Sequence, residues 1–153
     1  MKVNEHNLLE TLKTLKIDAK VQKETNQIYF LFKHEEQEFP LFIRLLHEGE
    51  LIQLLTFVPC RIEAKCENDL SRFLHMLNKE LDMPGFCLDE TSSTVFYRLM
   101  MPTLRQEYAP EVLEAYVNTS QTVCKSFATV ITALSTGAMT LEEIIKKAGD
   151  LQQ

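Results

Sequence analysis

Two stretches of this chain place histidine beside acid, the commonest makings of a metal or acid–base site. His34-Glu35-Glu36-Gln37-Glu38 begins like the zinc-binding H-E-x-x-H signature, but Glu38 stands where the second histidine is needed. Without it, two imidazoles cannot grip one metal from successive helical turns. His47-Glu48-Gly49-Glu50 fails in the same way. Both stretches are polar and sit between apolar runs, so they read as solvated turns. The acids Glu35, Glu36, Glu38, Glu48 and Glu50 cluster there too. Acid–base work needs carboxylates that flank a cleft with separated pKa values, and turn acids serve solubility instead. No serine sits in a G-x-S-x-G elbow, and four glycines are too few for a phosphate-cradling loop. Cys60, Cys66, Cys87 and Cys124 are widely spaced with no C-x-x-C pair, the pattern of buried free thiols. Asn118-Thr119-Ser120 matches a glycosylation sequon in letters only, because it falls inside a helical pattern. Residue chemistry thus points to no catalytic, metal or cofactor site.

The composition narrows the partners. The 153 residues carry 16 Lys and Arg against 22 Asp and Glu, a net charge of −6. Such a balance argues against nucleic acid and against an anionic membrane, both of which need a basic footprint. The apolar runs fall far short of the roughly 20 residues of a spanning helix. The opening Met1-Lys2-Val3-Asn4 leads into a polar helix rather than a secretory pattern, so the expected compartment is the cytoplasm.

Those turns belong to a stretch on which the rest of the chain is built. Gln27 to Pro59 reads as three antiparallel strands: Ile28–Phe32, Phe39–Leu46 and Leu51–Val58. Aromatic and branched residues dominate, and the connectors are short and polar. Alternation puts Ile28, Phe30, Phe32, Phe39, Leu41, Ile43 and Leu45 on a core face. The opposite face carries Tyr29, Leu31, Lys33, Phe42, Arg44 and Leu46; on the third strand both faces are largely apolar and the register is ambiguous, with Gln53 pointing to Gln53, Leu55 and Phe57 on this opposite face. An open antiparallel face is normally polar; this mixture of aromatics and arginine predicts cover by a helix, another subunit or a bound chain.

Helices flank the sheet. Leu8, Leu12 and Leu15 share a face of a first helix capped by Asn4, and residues 17–26 form a polar approach that pairs in part as an edge strand. After Pro59 a helix carries Leu70, Phe73, Leu74, Leu77 and Leu81, and Met83-Pro84-Gly85 stops it. Phe86–Asp89 and Thr94–Met101 follow as strands, with Val95, Tyr97 and Leu99 opposite Phe96, Arg98 and Met100. Pro110 opens a long last helix whose stripe runs Leu113, Val117, Ser120, Cys124, Phe127, Ile131, Leu134, beside a second stripe of Val112, Tyr116, Val123 and Val130. Gly137 ends it, and Thr140 caps a short further helix. The organisation is one α+β domain over residues 1–137, with a short C-terminal helix or tail over 138–153.

The order helix, three strands, helix, two strands, helix (α-βββ-α-ββ-α) resembles the type III secretion chaperone fold and the YbjN-like family that shares it. Leu51 to Phe57, the Leu- and Asn-bearing helix from Leu70 to Leu81, and Gly85-Phe86-Cys87-Leu88-Asp89 followed by Val95-Phe96-Tyr97-Arg98 are similar to the YbjN-like pattern. The resemblance spans roughly residues 4–135. It implies a non-enzymatic homodimer that holds a polypeptide client against apolar patches and strand edges. Phe42, Arg44, Leu55, Phe57 and Arg98 are then the expected client contacts, and Tyr116, Val123 and Val130 the expected dimer contacts. A YbjN-like regulatory or adaptor protein without a secretion role is the alternative. An enzyme of another type requires a deep polar cleft around His34 or His47.

Overall fold

The structure, a computed structural model, describes residues 1–151. Helix α1 (Glu5–Thr14) begins where Asn4, in extended conformation, accepts the Asn7 N–H on its side-chain oxygen at 2.8 Å. Leu8 and Leu12 on its inner face are fully buried. Strand β1 (Lys20–Gln22) is the predicted partial edge strand; it is followed by β2 (Gln27–His34), β3 (Gln37–Leu46) and β4 (Leu51–Val58). Helix α2 (Glu67–Glu80), strands β5 (Phe86–Asp89) and β6 (Thr94–Pro102), and helices α3 (Pro110–Thr136) and α4 (Leu141–Leu151) complete the chain. The six strands form one antiparallel sheet in the order β1-β2-β3-β4-β6-β5.

Strand alternation decides the layering. Ile28, Phe30, Phe32, Phe39, Leu41 and Ile43 are buried, as are Ile52, Leu54, Val95, Tyr97, Leu99 and Met101. They form one cluster with Leu8 and Leu12 of α1, Leu70, Phe73 and Leu74 of α2, and Leu113 to Leu134 along α3. The helices therefore lie on one side of the sheet. Leu45 has the parity of the core face but is 37% exposed, since it sits at the margin beyond the helices.

Helix α3 is the spine of the helical layer. Its buried line runs Leu113, Val117, Ser120, Cys124, Ala128, Ile131, Leu134 and Ser135. Ala128 takes the place expected of Phe127, which is half-buried against Phe86 at 6.2 Å between ring centres. A strict alternation of four and three has a period of 3.5, and a straight helix of 3.6 drifts off it over 27 residues. Gly137 ends the helix at φ +80°, a left-handed conformation that costs glycine little. Helix α4 then returns to the domain. Thr140 Oγ1 accepts the Glu143 N–H at 3.2 Å, Asp69 of α2 accepts the Leu141 N–H at 3.3 Å, and Leu141 is buried.

The second hairpin is locked to α2 by one asparagine. Asn78 donates to the Phe86 carbonyl at 2.8 Å, and its side-chain oxygen accepts the N–H groups of Gly85 and Phe86 at 3.2 and 2.9 Å. Gly85 lies against the backbone of β6, where Arg98 N–H donates to its carbonyl at 3.0 Å. This contact fixes where β6 presents Arg98.

Candidate functional site

Opposite the helices, the sheet is uncovered. Tyr29, Phe42, Phe57 and Phe96, one each from β2, β3, β4 and β6, form a ladder of aromatic rings across this face. Successive ring centres are 5.9, 5.8 and 6.3 Å apart, and the last two contacts are edge-to-face. Such pairs interact favourably beyond their area, which keeps a half-exposed ladder ordered without a cover. All four rings are half-buried, Leu31 beside them is 52% exposed, and Met100 is 36% exposed.

Register explains which residues meet. Lys20 pairs with Tyr29, Tyr29 with Phe42, Phe42 with Leu55, and Leu55 with Arg98. One row across five strands thus has a cation at each end and apolar side chains between. Arg44 pairs with Gln53, and Gln53 with Met100, in the next row on the same face. The Arg98 guanidinium carbon lies 5.9 Å from the Phe96 ring centre, a cation–π contact at an exposed site. Lys33 reaches Glu38 at 3.9 Å, whereas Lys20, Arg44 and Arg98 enter no ion pair among the described residues.

The structure brings Phe42, Arg44, Leu55, Phe57 and Arg98 together on this one face. Tyr29 and Phe96 extend the ladder and Lys20 closes the row, and none of the three was picked out from the sequence. The signal for Tyr29 was the two-residue turn at Glu35-Glu36, which sets the β2–β3 register and so aligns it with Phe42; Lys20 and Phe96 depend on the β1–β2 and β4–β6 pairings, which no local turn announces. Tyr116, Val123 and Val130 lie on α3, away from this face; all three are half-buried at the border of the core. Val112 on the same flank is 44% exposed.

The edge of the sheet is free in part. β1 pairs only with Gln27 to Tyr29, so β2 from Phe30 onward has no neighbouring strand on that side among the described residues. A hollow of about 360 Å³ opens there, lined among others by Lys16, Lys20, Leu31 and Gln121.

The histidine–acid stretches occupy turns, as their polarity requires. His34 ends β2 with Glu35 at 3.9 Å, and His47 is exposed in the β3–β4 turn. Among the described residues no group of three or more His, Cys, Asp or Glu is placed to hold a metal ion. The four cysteines are unpaired. Burial pushes the Cys124 thiol up to about 12, against a small opposite pull from the Thr56 hydroxyl, and it raises Cys60 as well. Low-pKa thiolates are the reactive ones, so these two lack that activation. No helix among the described residues is long and apolar enough to cross a membrane.

Comparison with known proteins gives a consistent result. The profile of the YbjN family, described as a "putative bacterial sensory transduction regulator", matches residues 6–133. Among solved structures, the chain is similar to YbjN from E. coli, described as a "putative transcription regulator", at 11% identity and a TM-score of 0.63. That match covers 92% of this chain and 98% of the other. It is also similar to a chain in the crystal structure of the ExsC–ExsE complex, at 18% identity and a TM-score of 0.61, covering 86% of this chain and 98% of that one. At these identities the likeness is one of fold. No curated protein matches.

Proposed function

The chain belongs to the YbjN family, and on that premise we propose that it is a non-enzymatic protein-binding protein that holds a polypeptide client in the manner of a type III secretion chaperone. The open sheet face carries this reading. Four aromatic rings, Leu31, Leu55 and Met100 stand uncovered on the side opposite every helix, beside a stretch of free β2 edge. Contiguous apolar surface of this kind marks an interaction site, and a free strand edge offers backbone pairing. Phe42, Arg44, Leu55, Phe57 and Arg98 are the proposed client contacts. The similar fold in the ExsC–ExsE complex belongs to an assembly of two proteins, which supports the reading at the level of architecture.

A regulatory or adaptor role without secretion is the second reading, favoured by the family's description as a sensory transduction regulator. Both readings use the same face and differ in the client. Four free thiols suit a reducing compartment, so the protein acts in the cytoplasm. A homodimer forms along the flank of α3 through Tyr116, Val123 and Val130. Light scattering at tens of micromolar tests the dimer, and a monomer that Val123→Glu leaves unchanged removes it.

Affinity capture with wild type and with the Phe42→Ser/Phe57→Ser variant, side by side, tests the face. The reading expects at least one polypeptide that is enriched by wild type and lost with the variant. Identical capture by both overturns it. Genes for a secretion apparatus or its effectors beside this one favour the chaperone role over the regulator.

A further inference from the structure

The electrostatics of the open face differ from those of the whole molecule. The chain carries a net charge of −6. By register, however, the open face holds Lys20, Lys33, Arg44 and Arg98 against only Glu38 and Asp89. Glu38 is answered by Lys33. Asp89 is engaged by the Thr91 N–H at 3.0 Å and the Ser92 hydroxyl at 2.7 Å, which fold the β5–β6 turn. Lys20, Arg44 and Arg98 remain exposed and without a carboxylate partner among the described residues. Glu5 lines the same hollow as Arg44 but does not pair with it.

The backbone of an occupant is constrained as well. Over the ladder the sheet offers side chains, because the backbone groups of β3, β4 and β6 are spent on neighbouring strands. An extended segment lying flat on this face would direct its own N–H and C=O groups sideways, where the face offers them no strand partner. A helix satisfies them internally and presents an apolar stripe. Lys20 and Arg98 are four strand steps apart in one row. At the usual strand spacing that is roughly 19 Å, the length of about 13 helical residues.

From this arrangement we propose that the client segment seated on the open face is an acidic amphipathic helix, with an apolar stripe about 13 residues long and Asp or Glu at both ends. The inference rests on the docking reading above and adds the partner's chemistry. The stripe packs on Phe42, Leu55 and Phe57. The terminal carboxylates meet Lys20 and Arg98, and Arg44 takes an acid along the flank by charge-assisted hydrogen bonds. The negative charge elsewhere on the molecule repels such a helix from other surfaces, so charge selects the face as well as the partner.

Three fluorescein-labelled synthetic peptides test it by anisotropy. One is a helix-forming 16-mer with a Leu/Phe stripe and acids at both ends. The second has those acids replaced by Lys, and the third keeps the acids but has the stripe replaced by Gln. The first peptide should bind and the others should not. Arg44→Gln and Arg98→Gln should each weaken it roughly two- to fivefold, and raised salt should weaken it further. Equal binding of the acidic and lysine peptides, both lost with Phe42→Ser/Phe57→Ser, overturns the charge selection while keeping the docking face. If no peptide binds while capture still depends on Phe42 and Phe57, the helical form is wrong and the docking reading stands. Capture that ignores those rings removes the docking reading itself. A captured segment that is basic or extended, or is a second copy of this chain, also overturns the proposal.

Discussion

Replacing Gly85 with alanine puts a methyl group where the fold has no room. A Cβ built there lies 2.1 Å from the Arg98 carbonyl oxygen and 3.1 Å from its carbonyl carbon. Both are backbone atoms of β6, so no side chain can swing away. The two strands must separate by at least about 1 Å to reach ordinary contact. That shift strains the Arg98 N–H bond to Gly85 and the three hydrogen bonds of Asn78. It also disturbs Phe86, which is 3% exposed and packs on Tyr97 at 4.9 Å. Overpacking typically costs 1–3 kcal/mol and a weakened hydrogen bond about 1, so the expected loss is about 2–4 kcal/mol. For a domain of this size that lowers Tm by roughly 5–15 °C. Gly149→Ala is the internal control: nothing lies within 4 Å of its Cβ, and it sits within α4, where alanine is the better helix former. Thermal and urea unfolding followed by circular dichroism measure both. A Gly85→Ala melt within about 1 °C of wild type would falsify the argument.

Three other outcomes follow from the same structure. Asn4→Ala removes the α1 cap, with an expected cost of about 1 kcal/mol in urea titrations; Asn4→Asp, which keeps an acceptor, should restore it. Phe42→Ser/Phe57→Ser should cost about 2–4 kcal/mol, since the rings are half-buried and three ring pairs of the ladder are lost; a collapse of the fold would show them to be core. Cys124 titrates near 9 when unfolded and near 12 when folded, so the native state holds its proton more tightly between those values. Stability is therefore intact below about pH 9 and falls as pH rises toward 12. Tyr97, likewise raised to about 12 by burial, acts in the same direction. Denaturation midpoints at pH 8, 10 and 11 should fall, and Cys124→Ala should flatten the slope; a constant midpoint contradicts the burial account.

Sequence patterning carried much of this fold because its main strands, 8 to 10 residues long, give parity several repeats over which to separate the two faces. Phe39, Leu41 and Ile43 against Pro40, Phe42 and Arg44 separate by parity alone, and Gln53 was enough to orient the third long strand. The caps at Asn4, Pro110, Gly137 and Thr140 also stood where local chemistry asked for them. What patterning could not reach was the placement of whole layers. Parity put Ile28, Phe30 and Phe32 on the face the helices cover, but it does not say whether a further helix covers the opposite face, and either answer satisfied the sequence. The pairing of β4 with β6 rather than β5 depends on the β5–β6 hairpin docking long range, which no local signal encodes. The row from Lys20 to Arg98 needs four registers at once, so Lys20 looked like an ordinary approach residue. Leu45 and Phe127 departed from expectation for geometric reasons, one at the sheet margin and the other through helical drift.

The claim that the open sheet face is where a polypeptide sits is tested most directly by a photo-crosslinking residue in place of Phe42, compared with one in place of Glu114, exposed on α3. After irradiation in cells, the account predicts a discrete crosslinked polypeptide from position 42 that is absent from position 114. Crosslinks from both positions to the same species, or none from position 42, contradict it.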